Sequence, residues 1–184
     1  MAQTINITFS TVFGNVKIWA NPKQQKRAEE LIRKSPEIFR QAYLNTAKRF
    51  GNRLAKMAKT CIKKGMPPPN SGVSWPPHAA STTRRLGEHT LLYWSSQYYR
   101  AIGVYQRGKN IFVGIKSGTK KTRPDRSNPS GLTLLQVAKI LEFGGGTVPA
   151  RPLWIPLFES VGGKAEFKQE LVKEIRKQIR KYTQ

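Results

Sequence analysis

Carboxylates, imidazoles and thiols are the side chains that most enzymes use to move protons, hold metals or attack electrophiles. This chain is poor in them. Asp125 is the only aspartate, and it lies between Pro124 and Arg126. Six of the nine glutamates fall within 21–64 and 164–184, where the solvated face of a helix accounts for them. His78 and His89 are the only histidines, and neither has a cysteine or carboxylate at metal-ligand spacing. Cys61 stands alone, so no internal disulfide and no cysteine-cluster metal site can form. It falls on an apolar stripe four residues after Met57, which reads as a buried structural thiol and not a nucleophile. Gly114-Ile-Lys-Ser-Gly-Thr-Lys has the wrong glycine spacing for a phosphate loop. Asn6-Ile-Thr8 matches a glycosylation acceptor, but the N-terminus lacks the basic and apolar regions of a signal peptide, so the match reads as chance. The expectation is a protein without metal or cofactor, and not an enzyme.

Charge is the dominant chemistry. Among 184 residues, 33 Lys and Arg oppose 10 Asp and Glu, a formal charge of +23. Such an excess repels itself and commonly faces a polyanion or an acidic protein surface. The distribution is uneven: 13 basic and 3 acidic side chains lie in 21–64, and 10 against 2 in 65–130. In 131–163 two basic and two acidic residues balance. That neutral segment, punctuated by Gly and Pro, is the part most shaped by packing. No apolar run reaches the roughly 18–20 residues that would span a bilayer, so no membrane partner is expected.

The elements that must position these groups follow from periodicity. Residues 4–9 alternate apolar and polar, as do the neighbours of Val16 and Ile18, which gives two strands joined near 11–14. Asn21-Pro22 reads as a helix start. A helical stripe then runs from 28 to 62, opposite a face carrying Arg40, Lys48, Arg49, Arg53, Lys56, Lys59, Lys63 and Lys64. Ser35-Pro36-Glu37 predicts two consecutive helices or a kink. Gly65 and Pro67–Pro69 end the helix. Mobile loops are expected at about 66–90 and 117–131, a helical turn at 91–97, and a hairpin of strands 98–106 and 110–116. Helices follow at 132–143 and 164–182, the second with Phe167, Leu171, Ile175 and Ile179 four apart. The fold class is α+β: a small antiparallel sheet packed by a long basic helix region and a C-terminal amphipathic helix, in a single domain over 1–184.

Trp75, Tyr93, Trp94, Tyr98, Tyr99 and Arg100 lie among basic residues and suit a stacking platform for nucleic acid. Core filling is the favoured reading of these aromatics. No helix-turn-helix, zinc-finger or RNA-binding signature is present, so phosphate contact is supported and sequence readout is not.

The segment Val137-Ala-Lys-Ile-Leu-Glu-Phe-Gly-Gly-Gly-Thr-Val-Pro-Ala-Arg-Pro-Leu-Trp-Ile-Pro closes with a motif. It resembles the signature of a family of tailed-phage neck and tail-completion proteins, which includes the Z-type minor tail proteins and the virion-morphogenesis proteins. Members show a helix ending in Glu-Phe/Tyr-Gly, a glycine-containing loop, then Pro-Ala/Pro-Arg-Pro-Phe and an amphipathic helix. Here those positions are Glu142, Phe143, Gly144, Pro149, Ala150, Arg151 and Pro152, with Leu153-Trp154 where the aromatic follows. Likeness in element order extends over roughly 25–184, but it is specific only across about 137–158.

Read for itself, the motif offers Gly144 as a left-handed helix cap and Arg151 as a two-pronged partner for Glu142 or Glu159. Either an internal clamp or a contact with the next subunit of a ring would use it. The resemblance implies a structural virion protein forming a ring, six-fold by expectation, at the head–tail junction. Its partners would be a portal-side connector protein and the tail tube or terminator. Glu142, Phe143, Gly144, Pro149, Arg151, Pro152 and Trp154 are the candidate interface residues, along with the N-terminal strands and the last helix. Arg49, Arg53, Lys56, Lys120, Lys121, Arg123 and Arg126 are the candidates to meet genomic duplex DNA through its phosphates. The alternatives are a tail terminator ring and a free nucleic-acid-binding protein without sequence preference.

Overall fold

The computed structural model describes residues 5–11, 14–20, 22–80, 83–84, 97–115, 132–146 and 148–183, with side chains from Lys26 to Lys181. The elements are β1 (Ile5–Thr11), β2 (Gly14–Ala20), α1 (Pro22–Lys64), α2 (Gln97–Ala101), β3 (Ile102–Arg107), β4 (Asn110–Ile115), α3 (Leu134–Phe143), α4 (Trp154–Ser160) and α5 (Gly163–Thr183). The class is α+β. Its strands form two separate antiparallel hairpins, β1–β2 and β3–β4, and not one shared sheet. The chain divides into two compact units, Met1–Asn45 with Glu170–Gln184, and Thr46–Gln169.

α1 is one 43-residue helix that runs through Pro36, so the expected break into two helices does not occur. Proline removes the N–H that would bond the carbonyl of Ile32. The hydroxyl of Ser35 takes its place, donating to Ile32 O at 2.8 Å. The helix ends as the sequence indicates. Gly65, at φ +65, donates to Ile62 O at 3.2 Å, and Met66 N donates to Cys61 O at 3.0 Å. These two bonds make a Schellman cap.

In the first unit, Ala28, Ile38, Ala42 and Leu44 of α1 are buried, as is Ile175 of α5. A polar bridge accompanies them: Asn45 donates to the buried Glu174 at 3.2 Å, and Gln178 donates to the same oxygen at 2.9 Å.

The second unit is built on the C-terminal half of α1. Phe50, Leu54, Ala58, Cys61 and Ile62 form its floor, with Trp75, Tyr98, Ile102, Leu153 and Leu157 packed on it. The β3–β4 hairpin sits on α1 at Gly51. A Cβ there would lie 3.0 Å from Val113 Cγ2 and 3.3 Å from Val104 Cγ1, so the missing side chain permits the close approach. Phe158 and Phe167, from α4 and the first turns of α5, meet the Phe50 ring edge-on at 5.9 and 5.5 Å.

The hairpin begins later than its composition suggests. Residues 97–101 are helical, with Tyr98 buried against the core, and the strand starts at Ile102. The Tyr105 hydroxyl fixes the junction by donating to Ala101 O at 2.8 Å. Of the expected helical turn at 91–97, Gln97 opens α2 while 91–96 lie outside the described residues, as does the loop at 117–131. Residues 66–79 form no helix or strand.

Candidate functional site

The neutral segment builds a compact arrangement around Glu142. Thr133 caps α3 in a capping box with Gln136, and Gly144 closes the helix at φ +77. A Cβ at Gly144 would lie 3.2 Å from Ala150 N and 3.3 Å from Val148 O, so close backbone approach and positive φ both call for glycine. Gly145 and Val148 exchange two backbone bonds of 3.0 and 2.9 Å, and Arg151 N returns the chain to Leu141 O. That turn brings the start of α4 beneath the end of α3. Leu153 supplies no side-chain cap to α4. The carboxylate of Glu142 supplies it, accepting from Leu153 N at 2.9 Å and Trp154 N at 3.1 Å. An anion at a helix N-terminus is electrostatically favoured, and two orphan donors are satisfied at once.

Arg151 does not pair with Glu142 or Glu159, contrary to the sequence expectation. The residue is 5% exposed, and its guanidinium donates from Nε to Pro76 O and from Nη2 to Pro77 O, both at 3.0 Å. In return the indole of Trp75 donates to Pro152 O at 3.0 Å. The reason is the proline content of both segments. Pro76, Pro77 and Pro152 have no N–H and cannot form a backbone ladder, so forked and indole donors satisfy the carbonyls that face the opposite segment. Burial pulls the Arg151 guanidinium below its ordinary pKa. Pro149 and Phe143 project outward, Phe143 being 75% exposed. Trp154 opens α4 and packs against the core. The phenol of Tyr98 is pushed up to about 12, first by burial and then by the Glu142 charge.

The basic residues separate into three groups. Arg49 and Lys56 are exposed. Arg53 is half-buried and folds its guanidinium over the Phe50 ring at 4.8 Å, which removes it from a freely outward-facing set. Lys120, Lys121, Arg123 and Arg126 lie outside the described residues.

Two charged surfaces emerge, one on the basic face of α1 that the sequence marks and one on α5 that was not singled out from it. Lys56, Lys59 and Lys63, one face of α1, form a wall of an open groove of about 510 Å³. Tyr99 stands in the same groove, with Lys59 Nζ 5.6 Å from its ring centroid. The other surface belongs to the first unit, where Lys173, Arg176, Lys177, Arg180 and Lys181 of α5 border a second open groove. The three- and four-residue spacing of those cations was the available signal. Of the proposed stacking aromatics, Trp75 and Tyr98 are core residues, Tyr99 lines the first groove, and Tyr93 and Trp94 lie outside the described residues.

Cys61 is buried, and burial raises its thiol pKa. Among the described residues no group of His, Cys, Asp or Glu could hold a metal ion, and no helix is long and apolar enough to cross a membrane. Comparison with protein-family models, curated proteins and solved structures returned no match.

Proposed function

We propose that the protein is a structural component of a tailed-phage virion, forming a ring at the head–tail junction around the DNA exit channel. The observation that carries this reading is that the motif spends Glu142 and Arg151 within the chain yet leaves two large apolar side chains at the surface. Glu142 and Arg151 satisfy backbone groups within the chain, while Phe143 and Ile155, which flank the Glu142–Trp154 cap, are 75% and 63% exposed. Large apolar side chains held rigidly at a surface suit burial against a neighbouring subunit. A closed ring needs two different patches to meet, and this one would seat on another face of the next copy.

Charge sets a condition on assembly. Copies at +23 repel one another unless a polyanion or an acidic partner neutralises them. Duplex DNA threading the ring supplies that neutralisation through phosphates, with Arg49 and Lys56 among the available contacts. Connector and tail-tube or terminator proteins are the expected neighbours. A free nucleic-acid-binding protein is the second reading, favoured by the lysine groove on α1.

Light scattering of the purified chain at low and high salt tests the proposal. A discrete oligomer that persists or strengthens as salt screens the repulsion, and that Phe143→Ser returns to monomer, is expected. A monomer at all salt concentrations that binds free duplex tightly, with a steep salt dependence, would overturn it.

A further inference from the structure

We infer that the groove between α1 and β3 receives a segment of single-stranded nucleic acid, its phosphates on Lys56, Lys59 and Lys63 and one base against Tyr99. The three lysines occupy one helix face, and the lysine Cα positions span about 10 Å of helix rise. Among the described residues no carboxylate lines the groove, and neither Lys56 nor Lys63 has an ion-pair partner. Among the described residues, the fold therefore makes no use of the Lys56 and Lys63 charges, while Lys59 lies over the Tyr99 ring. The floor is a different chemistry: Ile102 and Val104 of the hairpin present apolar surface beside the half-buried Tyr99.

That pairing selects among polyanions. Duplex DNA offers phosphates, but its bases are stacked and paired, so nothing would meet the tyrosine and the apolar floor. An acidic peptide would satisfy the lysines and likewise leave that floor uncovered. An unpaired nucleotide covers both, since every base has a face that stacks on an aromatic ring. The groove, at about 510 Å³, is of small-molecule size and has room for a nucleotide. Asn52 and the Thr60 hydroxyl, which donates to Lys56 O at 3.0 Å, add polar groups without a fixed donor–acceptor code for one base. The site therefore reads strandedness and not sequence. It is independent of the ring: a monomer can show it, and its failure leaves the ring reading standing.

Fluorescence anisotropy of the full chain with labelled dT12 and with the matched duplex tests the inference, with inorganic polyphosphate and polyglutamate as competitors. The single strand should bind more tightly than the duplex. Tyr99→Leu should weaken dT12 binding by about 5- to 150-fold, the loss of one stacked base, without changing the salt slope. Tyr99→Phe should retain binding, which separates loss of the ring from loss of the fold. Lys59→Gln with Lys63→Gln should lower the log–log salt slope by about 1.4, at about 0.7 for each phosphate contact on a single strand. Binding of duplex as tight as dT12, or Tyr99→Leu binding dT12 like the parent while polyphosphate or polyglutamate displaces it fully, would overturn the inference in favour of a site for charge alone.

Discussion

The loop arrangement around Glu142 and the lysine groove on α1 treat charge in opposite ways. In the first, a half-buried anion and a buried cation are each spent on backbone groups: Glu142 on two N–H donors, Arg151 on two carbonyls. They do not neutralise one another. In the groove, Lys56 and Lys63 remain at the surface and bind nothing within the described fold. The contrast separates charges that hold the structure from charges left for a ligand. Removing one of the former leaves buried polar groups unsatisfied; removing one of the latter leaves only more water.

The sharpest test of that division is Arg151→Ala. Two charge-assisted bonds disappear and the carbonyls of Pro76 and Pro77 lose their donors, so unfolding by urea should show a loss of about 2–5 kcal/mol. Arg151→Lys should recover less than half of it, because an ammonium lacks the planar fork that reaches both oxygens. Trp75→Phe keeps the ring and removes one donor, and should cost about 1 kcal/mol. If Arg151→Ala is as mild as a surface change, the clasp is not what holds the two proline segments together.

Alkaline titration probes the same region from the side of Tyr98. A phenol ordinarily ionises near 10, and here the folded state raises it to about 12. The neutral form is favoured in the fold, so this contribution is complete below pH 10 and is lost as pH rises through about 12. The difference between folded and unfolded chain corresponds to about 2–3 kcal/mol. Circular dichroism against urea at a series of pH values should show the decline, and Tyr98→Phe should flatten it.

How much of this was legible in the sequence depends on the range of the interaction. The start of α1 at Pro22, its Gly65 stop, the Gly144 closure of α3 and the α+β class follow from local rules about caps, glycine and periodicity. Pro36 does not divide the helix in two: a single hydroxyl, Ser35, donates to the carbonyl that proline leaves unbonded, and a propensity argument does not count such repairs. The Arg151 pairing misled for a different reason. Opposite charges nine residues apart suggest a bridge, but the carbonyls that claim the guanidinium lie about 75 positions earlier in the chain. The Lys59–Tyr99 approach has the same character, since neither residue carries a local sign of the other.

Within α1 a buried polar group departs from this division. Thr46 is fully buried, and among the described residues its hydroxyl has no hydrogen-bond partner. Replacing it with valine keeps the branched shape and removes the unsatisfied group. Thr46→Val should therefore stabilise the protein by about 1 kcal/mol, read as a higher urea midpoint at constant slope. A loss of similar size would mean that the hydroxyl is satisfied in solution.

The smallest effect is expected where the charge is densest. Lys56→Gln with Lys63→Gln removes two cations that have no ion-pair partner among the described residues, and surface substitutions of this kind stay within about 0.5 kcal/mol. The sign is informative. In a chain at +23, fewer positive charges reduce self-repulsion, so the pair should be neutral to slightly stabilising at low salt, and the difference should vanish at high salt. A clear destabilisation would place these lysines among the structural charges with Arg151, and the groove would then be part of the scaffold. A stable variant that has lost polyanion affinity would separate the two roles within one helix.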